Sequence, residues 1–193
     1  MTKILGVSGS PRRHGNTEIL LDRALDGASQ AGAAVEKIVV SELCIGPCRG
    51  CFRCIKSGVC AVKDDMRLIY RKFDEADGII LASPIYFGSI SAQLKTMIDR
   101  FNSRWVMKYM LKKSRLKKKR MGIFLCCAGE DKISFFANAR SIIRFFFITL
   151  DIKYTEGIFC GGVSEAGEIL NRVSSLKRSF DAGSRLGRVI VKI

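Results

Sequence analysis

Four cysteines, Cys48, Cys51, Cys54 and Cys60, fall within 13 residues, in a stretch that also holds Gly46, Pro47, Gly50 and Gly58. Thiolates are soft ligands. Repeated Cys-x2-Cys spacing in one short loop suits an iron-sulfur cluster, whereas structural zinc usually takes two ligand pairs set further apart. Spacing alone therefore favours a 4Fe-4S cubane, with zinc on all four thiolates, or free thiols that merely pack, as the alternatives. Cys44, four residues upstream, reads as a packing residue or a substitute for Cys48. The Asp64-Asp65 pair that follows reads as a helix N-cap.

A second set of residues suits phosphate. Ser8-Gly9-Ser10-Pro11-Arg12-Arg13-His14-Gly15-Asn16-Thr17 follows a short apolar run and precedes a helical pattern. Glycines let the backbone turn tightly, the hydroxyls of Ser8, Ser10 and Thr17 donate, and a helix N-terminus favours negative charge. The loop lacks the Gly-Lys-Ser/Thr ending of a P-loop and the glycine spacing of a dinucleotide fingerprint, so a mononucleotide phosphate fits better than ATP or NAD. The alternative is an ordinary Ser/Gly-rich turn. His14 is the only histidine; it reads as a loop contact, and a His-rich metal site is excluded.

A third set suits a flat heteroaromatic ring. In Ser83-Pro84-Ile85-Tyr86-Phe87-Gly88, Pro84 and Gly88 shape a turn, backbone amides face the polar ring edge and Tyr86 and Phe87 cover it, as a flavin requires. Taken alone, the two aromatics read equally well as core or subunit packing.

These residues need a scaffold that gathers loops. Apolar runs at 3–8, 35–40, 78–83, 120–126 and 154–159 alternate with helical patterns at 17–31, 65–76, 91–102, 134–150 and 165–186. Such alternation predicts a parallel sheet with helices on both faces, whose ligands bind beyond the carboxyl ends of the strands. A chain of 193 residues with 48% hydrophobic residues is expected to form one domain, 1–193. The greasiest stretch, 142–152, is too short to span a bilayer and contains Arg144 and Asp151. With no export signal, eight cysteines read as reduced thiols, and the expected location is the cytoplasm.

The formal charge is +15, and eight basic residues with no acid lie in a basic insertion at 105–120. Such a block docks an acidic protein, a nucleic acid or an anionic membrane, or simply faces solvent. Only Tyr109 interleaves the run of charges from Lys108 to Arg120, too few aromatics for a single-strand platform, so nucleic acid ranks low.

The sequence resembles the iron-sulfur flavoproteins, within the group similar to NADPH-dependent FMN reductases. The resemblance rests on the Ser-Gly-Ser-Pro-Arg loop ending Gly15-Asn16-Thr17, on Cys48-Arg-Gly-Cys51-Phe-Arg-Cys54 with Gly58-Val-Cys60 and Asp64-Asp65-Met66, and on Ser83 to Gly88. It implies an α/β, flavodoxin-like, doubly wound parallel sheet of five strands in the order 2-1-3-4-5. It also implies FMN, with its phosphate at Ser8, Ser10, Arg12, Asn16 and Thr17 and its ring near Pro84, Ile85, Tyr86, Phe87 and Gly88, with Ala128 and Gly129 as further ring contacts. Homo-oligomers, dimer or tetramer, are implied too, with the cluster of one chain near the flavin of another.

The expected function is electron transfer between a ferredoxin-like carrier and an acceptor through a cluster and FMN, with no side-chain nucleophile. The alternatives are an NAD(P)H-dependent FMN or quinone reductase without a cluster and, well below it, a nucleic-acid or membrane-surface binder that uses FMN as a sensor.

Overall fold

A computed structural model describes residues 2–113 and 120–191. The strands are β1 (Lys3–Ser8), β2 (Ala34–Val39), β3 (Gly78–Tyr86), β4 (Ser89–Ile90), β5 (Arg120–Cys127) and β6 (Ile152–Cys160). The helices are α1 (Asn16–Gln30), α2 (Met66–Glu75), α3 (Ala92–Arg100), α4 (Asn102–Trp105), α5 (Ile133–Thr149) and α6 (Val173–Val191). The sheet order is β2-β1-β3-β5-β6, with every pair parallel, and β4 is a two-residue antiparallel addition to β3. Leaving that addition aside, the five long strands have the expected order 2-1-3-4-5.

Both faces of the sheet are covered because successive residues of each strand point to opposite sides. Leu5 and Val7, Ile79 and Leu81, and Phe124 and Cys126 pack on one side with Ile69, Phe73, Leu94, Phe146 and Phe147 from α2, α3 and α5. Ile4, Ile80 and Ala82, and Ile123 and Leu125 pack on the other with Leu20, Leu21 and Ala24 of α1 and Ala182 and Leu186 of α6. Helices α1 and α6 approach closely through glycines. A Cβ on Gly27 would overlap Phe180 O, and one on Gly183 would overlap Ala24 O.

Two helical expectations change. The pattern at 91–102 is α3, N-capped by Ser91, whose Oγ accepts from Leu94 N at 3.2 Å. The helical path then continues through α4 into a π-helical turn, Val106–Met110. The pattern at 165–186 begins later than its apolar spacing suggests. Gly167, at φ 85°, breaks the chain into a 3-10 turn, Glu168–Asn171, before α6 starts. Among the described residues, no helix is long and apolar enough to cross a membrane.

Candidate functional site

The parallel order brings the loops after β1, β3, β5 and β6 to one edge of the sheet. Between them lies a cleft with about 580 Å³ of empty space. Ser10, Arg12, Asn16, Thr17, Pro84, Ile85, Tyr86, Ala128 and Gly129 line it, nine of the residues expected to meet a cofactor. Gly15, Cys127, Val163 and Ser164 line it too and were not expected. The last pair sits in the loop after β6, whose Gly161-Gly162 is the only local signal that could have pointed there.

One end of the cleft is built for an anion. Gly15 is the N-cap of α1 and makes no side-chain capping bond, and with Asn16 and Thr17 it puts the start of this helix in the cleft wall, where a helix N-terminus favours an anion. Ser10 Oγ closes its own turn, accepting from Arg12 N and donating to Arg12 O, both at 3.1 Å. Arg12 Nη1 donates to Ser164 O at 3.0 Å. Asn16 serves the scaffold as well: its Nδ2 donates to Glu165 O at 2.8 Å and its Oδ1 accepts from Ile169 N at 3.2 Å. Arg12 and Asn16 thus fasten the first loop to the loop after β6. Ser8 is fully buried beneath the cleft, outside its lining, and its Oγ has no hydrogen-bond partner.

The first loop is anchored from behind by Glu18, which is fully buried. Its carboxylate accepts from Arg13 Nε and Nη2 at 3.2 and 3.1 Å, from His14 N at 2.7 Å and from Lys37 Nζ at 3.0 Å. Burial alone would raise its pKa. The hydrogen bonds from Arg13, Lys37 and His14 outweigh burial and bring it down to about 2. His14 itself is a loop residue at φ 55°.

The other end of the cleft suits a flat ring. Ser83 Oγ accepts from Ser91 N at 3.0 Å, and Ser91 Oγ donates to Gly9 O at 2.5 Å; these bonds tie the β3 turn to the first loop. Cys127 forms part of the wall. Burial, with Cys160 beside it, pushes its thiol up to about 12 against a hydrogen bond from Thr17, so it is a neutral packing group. Phe87 and Gly88 do not line the cleft. Phe87 is fully solvent-exposed at φ 49°, and Gly88 O accepts from Asn138 Nδ2 at 2.8 Å.

The cysteine loop occupies the long connection between β2 and α2. Cys44, Cys48 and Cys51 are exposed, and Cys54 and Cys60 half-buried. Burial raises the Cys54 pKa first, and Cys60, Cys48 and Cys51 add to it. Their soft donor chemistry fits an iron-sulfur cluster or zinc. Among the described residues no three His, Cys, Asp or Glu side chains are gathered into a metal-binding group.

The base of this loop is closed by polar contacts. Asp64 Oδ1 accepts from Met66 N at 3.2 Å, and Asp64 Oδ2 accepts from Gly46 N at 3.1 Å. Asp65 turns away from the helix it was expected to cap. Its Oδ2 accepts from Cys44 N at 2.7 Å. Below, Gly58 at φ 74° lies against Met107, whose side chain fills the space a Cβ would need.

The basic insertion divides. Lys112 and Lys113 are exposed, whereas Arg120 is buried, contrary to its reading as part of one charged surface. Lys117, Lys118 and Lys119 lie outside the described residues.

Among known proteins, the family model for NADPH-dependent FMN reductase matches residues 2–142. An iron-sulfur flavoprotein of Methanocaldococcus jannaschii is 34% identical over 158 residues, 81% of this chain and 77% of that protein. A second from the same organism is 47% identical over 98 residues, 51% of each, and one of Archaeoglobus fulgidus is 44% identical over 98 residues, 51% of this chain and 44% of its own length. Over these more identical stretches the chain spans about half the length of its relatives. Two solved structures share the fold. A flavone reductase has a TM-score of 0.76 at 22% identity, covering 98% of this chain and 63% of its own. The NAD(P)H:quinone oxidoreductase from Methanothermobacter marburgensis has a TM-score of 0.70 at 17% identity, covering 96% of each. With its phosphate-type loop, ring-type turn and cysteine loop on this sheet, the chain belongs to the NADPH-dependent FMN reductase family, in its iron-sulfur flavoprotein group.

Proposed function

We propose that the cleft binds FMN and that the protein is an electron-transfer flavoprotein whose cysteine loop carries a 4Fe-4S cluster. The observation that carries this reading is the convergence of the Ser10–Thr17 loop and the Pro84–Tyr86 turn on one cleft, polar at one end and flat at the other. When bound, FMN supplies one- and two-electron chemistry and the cluster single-electron exchange. Arg12, Thr17 and the first amides of α1 hold the phosphate, and Pro84, Ile85, Tyr86, Ala128 and Gly129 flank the ring. Cys48, Cys51, Cys54 and Cys60 are the cluster ligands. The chain's task is to bind, orient and exclude water, with no side chain attacking a substrate.

The electron partner in this proposal is a small acidic, ferredoxin-like carrier. Met107 packs on Gly58 of the cysteine loop and its carbonyl accepts from Lys113 N at 2.8 Å, so a carrier drawn to the exposed Lys112 and Lys113 comes close to the loop. The chain works as a homo-oligomer in which the cysteine loop of one copy faces the cleft of another. Phe87 beside the cleft and Phe52 and Val59 on the cysteine loop are exposed apolar groups that such a contact would cover.

The test is anaerobic purification followed by a visible spectrum and iron, sulfide, zinc and FMN analysis per chain. About four irons and four sulfides beside one FMN are expected. FMN without iron, even after anaerobic reconstitution, would leave the second reading, an NAD(P)H-dependent reductase of FMN or quinones. That reading is favoured by the family match and by the exposure of Tyr86 at the cleft mouth, and rapid bleaching of the flavin by NADPH would support it.

A further inference from the structure

Helix α5 is apolar on both sides. Phe136, Ala139, Ile143, Phe146 and Phe147 are buried in the core, which accounts for its inner face. Phe145 and Ile148, near its carboxyl end, are 72% and 54% exposed, and core packing does not account for them. Phe145 walls one side of a groove between α5 and the α3–α4 path, with about 540 Å³ of empty space, and Trp105 walls the other, with Ile98 and Phe101 between. Trp105 is itself exposed, and its ring stands 5.6 Å from that of the exposed Tyr109. Large apolar groups gathered in this way on an outer surface mark a docking face.

The charges around the face decide what it fits. On the α5 side, a hollow formed by Ala137, Ser141, Phe145 and Ile148 is lined by Arg140 and Arg144 and by no acid. On the α3 side the acid in the groove wall, Asp99, is held by Lys95 at 2.7 Å. The face is therefore net positive, on a chain of formal charge +15. A second copy related by a two-fold axis would lay this face on its own duplicate and set arginine against arginine. An anionic lipid surface instead offers phosphates to the arginines and an apolar layer to the rings beside them.

We propose that this face docks the protein on an anionic lipid surface. Trp105, Phe145 and Ile148 enter the headgroup region, where an indole is favoured, and the guanidinium forks of Arg140 and Arg144 meet lipid phosphates. The cofactor cleft stays open in this arrangement. Asn138, which donates to Gly88 O beside the cleft, precedes Ile148 by about 15 Å along α5, so the docking face lies at the far end of the helix. Docking depends on neither FMN nor a cluster and stands or falls apart from the redox reading.

The experiment is co-sedimentation of the purified protein with phosphatidylcholine vesicles, with and without phosphatidylglycerol, beside light scattering of the protein alone. Retention on the phosphatidylglycerol vesicles is expected, with little on phosphatidylcholine. The double variant Phe145→Ser/Ile148→Ser is expected to weaken it at least about tenfold, and Arg140→Gln/Arg144→Gln by about tenfold or more. All four side chains are exposed, so an unchanged circular dichroism spectrum and melting temperature are expected to accompany both losses. Absence of binding to the anionic vesicles overturns the proposal. So does binding that Phe145→Ser/Ile148→Ser leaves unchanged, since net charge alone would then explain it, or a smaller molecular mass of that variant, which would assign the face to a second copy.

Discussion

Arg100 lies fully buried beneath the cysteine loop and grips Asp64 with both arms, Nη1 to Oδ2 at 2.5 Å and Nη2 to Oδ1 at 3.0 Å. The same guanidinium donates to Gly46 O at 2.7 Å and Val62 O at 3.4 Å, so one side chain holds the strand of chain entering the loop and the one leaving it. Burial works against its charge, but Asp64 and the adjacent Cys60 outweigh that and raise its pKa. Arg100→Met leaves the half-buried Asp64 carboxylate with only its two backbone donors, Gly46 N and Met66 N, an expected loss of about 2–3 kcal/mol, below that of a fully buried pair. Arg100→Lys keeps the charge and loses the fork, so Cys54 and Cys60 are expected to react faster with a thiol reagent at nearly unchanged fold content. Chemical denaturation and timed thiol labelling check the two; equal labelling rates in wild type and Arg100→Lys would argue against the clasp.

The same pair sets a pH limit. Burial raises the Asp64 pKa, but bonds from Arg100, Gly46 and Met66 bring it below its ordinary 3.8. The unfolded chain therefore takes up this proton first on acidification, and the stabilisation is present above pH 3.8 and lost as pH falls through the lower folded value. Asp64→Asn is expected to reduce the acid-side slope, leaving the part that Glu18 contributes, as read from denaturant midpoints between pH 5 and 3.

Glu18 contributes over a wider window. Its pKa of about 2, against an ordinary 4.5, corresponds to roughly 3 kcal/mol present above pH 4.5 and lost progressively toward pH 2. Glu18→Gln removes that dependence and weakens the hold on Arg13, which keeps its pair with Glu42, and on His14 of the phosphate-type loop. Affinity for FMN is expected to fall together with stability, which flavin fluorescence titration of the folded variant at pH 7 measures.

If Arg12 faces a bound phosphate, Arg12→Ala separates phosphate from ring. FMN binding is expected to weaken about tenfold or more, the worth of a charge-assisted bond, while riboflavin, which lacks the phosphate, binds the variant as it binds wild type. Equal losses for both ligands would mean that Arg12 acts only by holding Ser164.

Gly183→Ala tests the α1–α6 contact. The new methyl meets the Ala24 carbonyl, a backbone atom that cannot swing aside, so the helices must separate at a cost of about 1–3 kcal/mol. A lowered melting temperature with little change in iron or FMN content is expected, because the contact lies on the face away from the cysteine loop.

Much of this molecule is legible in the sequence because its information is local. Apolar runs such as 3–8 and 78–83 report strands buried on both sides, and a strand-loop-helix order fixes which loops share an edge. That is why the loop with Ser10 and Thr17 and the turn from Pro84 to Tyr86 are expected at one edge of the sheet, where both line the same cleft. The polar pairings are different, because a side chain's partner depends on which surfaces packing brings together. Arg120 reads as one more cation in a basic run, yet the start of β5 puts it between the ends of α2 and α5, where it is buried against carbonyls. Asp65 reads as a helix cap, yet the returning cysteine loop offers Cys44 N. Asn16 reads as a cleft residue and lines the cleft, and its amide also ties the first loop to the loop after β6, 149 residues away in sequence. Periodicity encodes which residues are buried; only the tertiary structure decides against what, since hydrogen bonds between distant segments leave no spacing in the chain.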